Sequence, residues 1–114
     1  MKVNELMIGD WVSYLGFYNK VIYIGQKVSM YRKGTEFTTG PEHIRPIPLT
    51  EEILVKNGWR KESTTIDGDY ANWHGEIPIC QEEDEFNYER IELTYVHQLQ
   101  HLLRLCGIEK EIEL

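Results

Sequence analysis

An α+β fold is what this sequence predicts, and three observations carry that expectation. Short runs of β-branched and aromatic residues recur between glycines over the first 48 positions, as in small antiparallel sheets. Two later segments space their apolar residues as helices do. Between them, Ile44-Arg45-Pro46-Ile47-Pro48 cannot continue a central ladder, because each proline lacks an N–H donor and biases its predecessor to extended backbone. At 114 residues, 41% apolar and 27% charged, the chain has the composition of a folded protein and not of a disordered one.

The strands are expected at Trp11 to Tyr14, Lys20 to Ile24, Val28 to Tyr31 and Glu36 to Thr38, punctuated by Gly16, Gly25, Gly34 and Gly40. That rhythm, with the Gly9-Asp10 turn before the first strand, predicts an N-terminal SH3-like small antiparallel β-barrel over residues 1–48. The aromatic set Trp11, Tyr14, Phe17, Tyr18, Tyr23, Tyr31 and Phe37 is dense for so small a barrel, so its interior is expected to take about four of them and to leave some tyrosines outside.

Residues 49–114 are expected to form a helix, β-hairpins and a C-terminal amphipathic helix, either as a second half or within one compact domain. Thr50 can cap a short helix over residues 51–57, Glu51 and Glu52 suit the positive end of its dipole, and Gly58 can end it. Asp67-Gly68 predicts a tight hairpin turn between Thr64-Thr65-Ile66 and Asp69-Tyr70-Ala71. A further hairpin would pair Glu76 to Cys80 with Tyr88 to Leu93 across the acidic segment Gln81 to Glu85. Trp59 and Trp73 are expected to cover the short helix. Thr94 is the expected cap of the last helix, whose apolar stripe is Val96, Leu99, Leu102, Leu103 and Cys106, with Gly107 as terminator. The tail Ile108 to Leu114 alternates apolar and charged residues, as an edge strand or a frayed end does.

Charge is uneven. Residues 1–48 carry +2 and the remainder −9, within a formal net charge of −7. Duplex binding by the whole surface is disfavoured, since nucleic-acid binders concentrate cations on one face. No apolar run is long enough to span a membrane, and the start lacks a secretory pattern, so a cytoplasmic location with no membrane partner is expected. There Cys80 and Cys106 should be small buried thiols and not a disulfide.

Three strings in fixed order, Leu6-Met7-Ile8-Gly9-Asp10-Trp11-Val12, Ile44 to Leu54 with Asn57-Gly58-Trp59, and Tyr95-Val96-His97-Gln98-Leu99-Gln100, resemble a family of small uncharacterised proteins from Bacteroidetes genomes and their mobile elements. The resemblance covers most of the chain and departs after Leu102. It implies no activity, substrate, cofactor or catalytic residue.

Few residues suggest chemistry. His97 and His101 stand four apart, the helical spacing that zinc sites use, but Gln98 occupies the place of a general-base glutamate and no third ligand is evident. The bland alternative is interfacial packing beside the apolar stripe. Asp67-Gly68-Asp69 lacks the closing ligands of a calcium loop. Glu82, Glu83, Asp84 and Glu85 lack the apolar surroundings that would separate their pKa values. There is no phosphate loop and no nucleophile elbow. The expectation is therefore no enzyme, no cofactor and no metal. The binding-surface candidates are Tyr18, Lys20, Lys27, Tyr31, Arg32 and Lys33, whose aromatics and cations could hold a peptide or stack single-stranded bases. The leading functional expectation is a non-enzymatic interaction module that binds a protein partner or a second copy, with the Leu99 to Leu103 face partly available. The alternatives are a single-stranded nucleic-acid accessory protein using the first half, and a metal-dependent enzyme using His97 and His101.

Overall fold

Alternation along the first strands decides which side chains meet. In the computed structural model, which describes residues 1–64 and 70–114, the chain is α+β and divides into two compact units, Met1–Ile47 and Pro48–Leu114.

In the first unit, β1 (Trp11–Tyr14), β2 (Phe17–Ile24), β3 (Val28–Arg32) and β4 (Thr35–Thr39) form an antiparallel sheet in sequence order. Two-residue turns at Leu15-Gly16 and Lys33-Gly34 join the outer pairs. Both residues of each turn have positive φ, 52° and 80° in the first and 47° and 83° in the second, which matches the right-handed twist of the strands they connect. Leucine and lysine are held there at a cost of about 1–2 kcal/mol each. The Gly9-Asp10 pair closes the chain onto the sheet. Buried Asp10 accepts the Met7 N–H through Oδ2 at 2.8 Å, and Gly9, at φ 94°, donates its N–H to Val21 O at 2.7 Å.

Two expectations change here. The sheet is an open meander and not a closed barrel: β1 and β4 do not pair, and among the described residues the outer edge of β1 is bridged only between Ser13 and Arg45, through hydrogen bonds of 2.8 and 2.9 Å. The core is also aliphatic. Leu6, Val12, Val21, Val28, Met30 and Ile44 form it, with Tyr14 and Phe37 half-buried against it and none of the seven aromatics fully buried. The period of two explains this, since Val12, Val21, Val28 and Met30 share one face while Tyr18 and Tyr31 fall on the other.

In the second unit, α1 (Glu51–Lys56) begins where Thr50 Oγ1 accepts the Ile53 N–H at 3.3 Å and ends at Gly58, φ 96°. An antiparallel five-stranded sheet follows in sequence order: β5 (Arg60–Thr64), β6 (Tyr70–His74), β7 (Ile79–Glu82), β8 (Glu85–Tyr88) and β9 (Ile91–Glu92). The expected Asp67-Gly68 turn lies outside the described residues. The acidic segment is not one long loop. β7 turns at Glu83-Asp84 into β8, which turns again at Glu89-Arg90 into β9, and the strand resumes so early because Phe86 reaches the core from within it.

The last helix, α2 (Val96–Leu105), is capped differently from the expectation. Tyr95 holds the cap position, and Gln98 Oε1 accepts the N–H groups of Thr94 and Tyr95 at 2.8 and 3.0 Å. Gln98 thus satisfies orphan donors at a helix start. Val96, Leu99, Leu102 and Leu103 are buried, whereas Cys106 lies beyond the helix and is exposed. Large rings fill the rest of this core. Trp59 Nε1–H donates to Ile77 O at 2.7 Å, Trp73 Nε1–H donates to Gln81 Oε1 at 2.9 Å, and Phe86 meets Trp73 edge-on. Only glycine fits at position 75, where a Cβ would fall 2.8 Å from the Trp59 ring. The tail is neither strand nor frayed end. Asn57 donates through Nδ2 to Glu113 O at 2.8 Å and accepts the Glu113 N–H through Oδ1 at 2.7 Å, with Ile112 buried beside it in sequence. Among the described residues no helix is long and apolar enough to cross a membrane.

Candidate functional site

The six binding-surface candidates do not form one patch. Strand alternation places Tyr18, Lys20 and Tyr31 on the face of the first sheet opposite its aliphatic core, together with Trp11 and Tyr23, which complete the surface but were not among the six. Register aligns Trp11, Lys20, Tyr31 and Glu36 in a row across all four strands, and Ser13 lies opposite Tyr18. A bulge between Val21 and Tyr23 shifts the register, so that Tyr23 pairs with Ser29. The Lys20 ammonium lies 5.2 Å from the Trp11 ring centroid, which holds a long side chain down on the sheet. Beside the row, Ser29 Oγ and Thr38 Oγ1 share a 2.9 Å hydrogen bond. Tyr18, Tyr23 and Tyr31 remain 49%, 61% and 48% exposed.

The other candidates go elsewhere. Arg32 follows Tyr31 and so takes the opposite face, where its guanidinium carbon sits 3.9 Å from the Phe17 ring centroid. Lys27 precedes β3 and Lys33 follows it, about 20 Å apart at strand rise, so neither adds charge to the row. Lys20 and Glu36 leave the outer face close to electroneutral. Such a face can stack rings and exchange hydroxyl hydrogen bonds, but it has no train of cations to follow a phosphate backbone.

The histidine pair is brought together by α2. The His97 and His101 ring centroids lie 5.5 Å apart with planes at 74°, and buried His97 stacks on Tyr95 at 5.8 Å. His43 and His74 have carboxylate neighbours of their own, Glu42 and Glu62, each at 3.5 Å. Among the described residues no group of three or more histidine, cysteine or acidic side chains converges. The expectation that the Leu99 to Leu103 face is available to a partner is corrected, because Leu99, Leu102 and Leu103 are buried within this chain. Burial of both cysteines is corrected as well: Cys80 is half-buried, Cys106 is exposed, and both are free thiols.

Set against known proteins, the chain matches no family model, no curated protein and no solved structure.

Proposed function

We propose that the protein is a non-enzymatic interaction module that binds a protein partner through the outer face of β1 to β3. One observation carries this reading: Tyr18, Tyr23 and Tyr31, each about half exposed, surround Lys20 on a single sheet face. Tyrosine gives a large amphipathic contact at low entropic cost and is enriched where binding energy concentrates. The module is SH3-like in this proposal, supported by the Ser13–Arg45 bridge, which lays a fifth extended segment along β1. A cytoplasmic accessory role is part of the same reading and is supported by the resemblance to mobile-element proteins of Bacteroidetes.

Panning a random peptide display library on the full chain, then measuring the enriched peptides by fluorescence anisotropy, tests it. Binding should fall at least about tenfold in Tyr18→Ser and in Tyr31→Ser, since a central aromatic contributes about 2 kcal/mol or more, and should be unchanged in Glu82→Gln in the second unit. Peptides that bind a Tyr18→Ser/Tyr31→Ser double variant as well as the parent sink the proposal. A second reading, single-stranded nucleic acid stacked on the same tyrosines, is favoured by Lys20 among them. It requires a labelled oligothymidylate to bind at low salt and to release as salt rises.

A further inference from the structure

The two edges of the first sheet are not alike. Along the outer side of β1, Ser13 exchanges hydrogen bonds with Arg45, and Pro46, without an N–H, follows at once. Along β4, among the described residues, positions 35–39 make no backbone hydrogen bond except to β3. Proteins blunt such an edge with lysine, proline, a bulge or a covering segment. Thr35-Glu36-Phe37-Thr38-Thr39 has no lysine, proline or bulge, and all but Glu36 are β-branched or aromatic, the types that favour strand pairing.

The Lys33-Gly34 turn fixes which backbone groups point outward. Arg32 and Thr35 flank a two-residue turn and so exchange hydrogen bonds with each other, and bonded pairs alternate along an antiparallel ladder. Phe37 with Met30 and Thr39 with Val28 are therefore bonded pairs, whereas the N–H and C=O of Glu36 and Thr38 face away from β3. The same count from the Leu15-Gly16 turn leaves Ser13 facing outward, and Ser13 is the residue that meets Arg45. Glu36 and Thr38, both exposed, thus present two donors and two acceptors at strand spacing.

An extended strand answers that spacing, and register selects a second copy of this chain. Two β4 strands running antiparallel about a two-fold axis at Phe37 pair Glu36 with Thr38 of the second copy, and Thr38 with its Glu36, through four backbone hydrogen bonds. Phe37 then meets its own counterpart at a non-bonded position, where Cα atoms approach to about 4.5 Å and aromatic rings touch. Centring the axis on Glu36 instead would set two carboxylates directly opposite, which is unfavourable. Centring it on Thr38 would run the pairing into Gly40 and Pro41, where the chain has left the strand for a 3-10 turn. Only at Phe37 is the one charge of β4 matched with a neutral residue while all pairing stays within the strand.

We infer that the chain associates with a second copy of itself through β4, joining two four-stranded sheets into one of eight strands. Side chains directly opposite share a face, so both tyrosine-bearing faces lie on one side of the joined sheet. Five residues a side fall short of the roughly 20–30 of a stable interface, so the dimer is weak and forms as concentration rises. Its bonds come from the β4 backbone, and it stands whatever the outer tyrosines bind.

Sedimentation velocity of the full chain from about 10 µM to about 1 mM, the range of weak contacts, tests the inference together with amide hydrogen exchange at both ends of that range. Mass should rise toward the dimer and exchange at Glu36 and Thr38 should slow with it, while Phe37 and Thr39, bonded to β3, are protected throughout. Thr38→Pro removes an outward donor and no bond to β3, so it should abolish association while the remaining backbone amide signals keep the parent's pattern. Thr38→Lys places a cation across from Glu36 of the second copy and should tighten the dimer about fivefold, Thr38→Glu should weaken it about fivefold, and Glu36→Lys/Thr38→Glu should restore it. A chain still monomeric at about 1 mM overturns the proposal. So does association that survives Thr38→Pro or leaves the Glu36 and Thr38 amides unprotected, and so does a charge exchange that fails to restore what Thr38→Glu loses. A monomer in which those two amides become protected only when the display-selected peptides are added would replace the second copy with a foreign strand and overturn it too.

Discussion

The two units place their aromatic residues in opposite ways. In Met1–Ile47 the core is aliphatic and the rings of Phe17, Tyr18, Tyr23 and Tyr31 are exposed, whereas in Pro48–Leu114 Trp59, Trp73 and Phe86 are buried. Each buried indole N–H has a named acceptor, Ile77 O or Gln81 Oε1, so large rings can be enclosed without an orphaned donor. The outer face of the first sheet offers its tyrosines no such enclosure, and their hydroxyl ends stay within reach of a partner. On the proposed function, a ring's place in the fold decides whether it stabilises or recognises.

Substitutions can break this contrast, and the largest effect is expected in the second unit. Trp59→Ala should destabilise it by about 3–5 kcal/mol, through lost burial and a cavity beside Gly75. Urea unfolding followed by Trp73 fluorescence would measure this, and a loss below about 1 kcal/mol would mean that the ring is not a core element. Next comes Asp10→Ala, expected to cost the first unit about 1.5–3 kcal/mol, because the Met7 N–H loses its carboxylate acceptor in a part-buried hydrogen bond and the buried Asp10 site is left empty. Amide hydrogen exchange at Met7 and Val21 would register it. Smallest, and of opposite sign, is Leu15→Asn, which should stabilise by about 1 kcal/mol by giving the left-handed position a residue that tolerates it. The shift in thermal midpoint measures that sign.

Much of this architecture is legible from the residues alone. Glycine spacing marks the strands, Thr50 and Gly58 bracket α1, and the apolar period finds α2. Sheet closure is not legible, because whether a fifth segment pairs along β1 depends on contacts between residues as distant as Ser13 and Arg45. The candidate surface was half visible. Tyr31, Arg32 and Lys33 look like one basic-aromatic run in sequence, but a strand sends neighbours to opposite faces and a turn takes the third. Applying that period outward from Val28 and Met30 would have moved Arg32 to the core side. The bulge before Tyr23 has no sequence mark, and so its place beside Ser29 could not be foreseen.

The clasp between Asn57 and Glu113 has a consequence for biosynthesis. It joins positions 56 residues apart, so the second unit cannot be completed until Glu113 has left the ribosome. The first unit has all of its strands by Thr39 and its last core residue by Ile44. Translation therefore presents the two in sequence, with the tyrosine-bearing sheet able to fold while the remainder is still nascent.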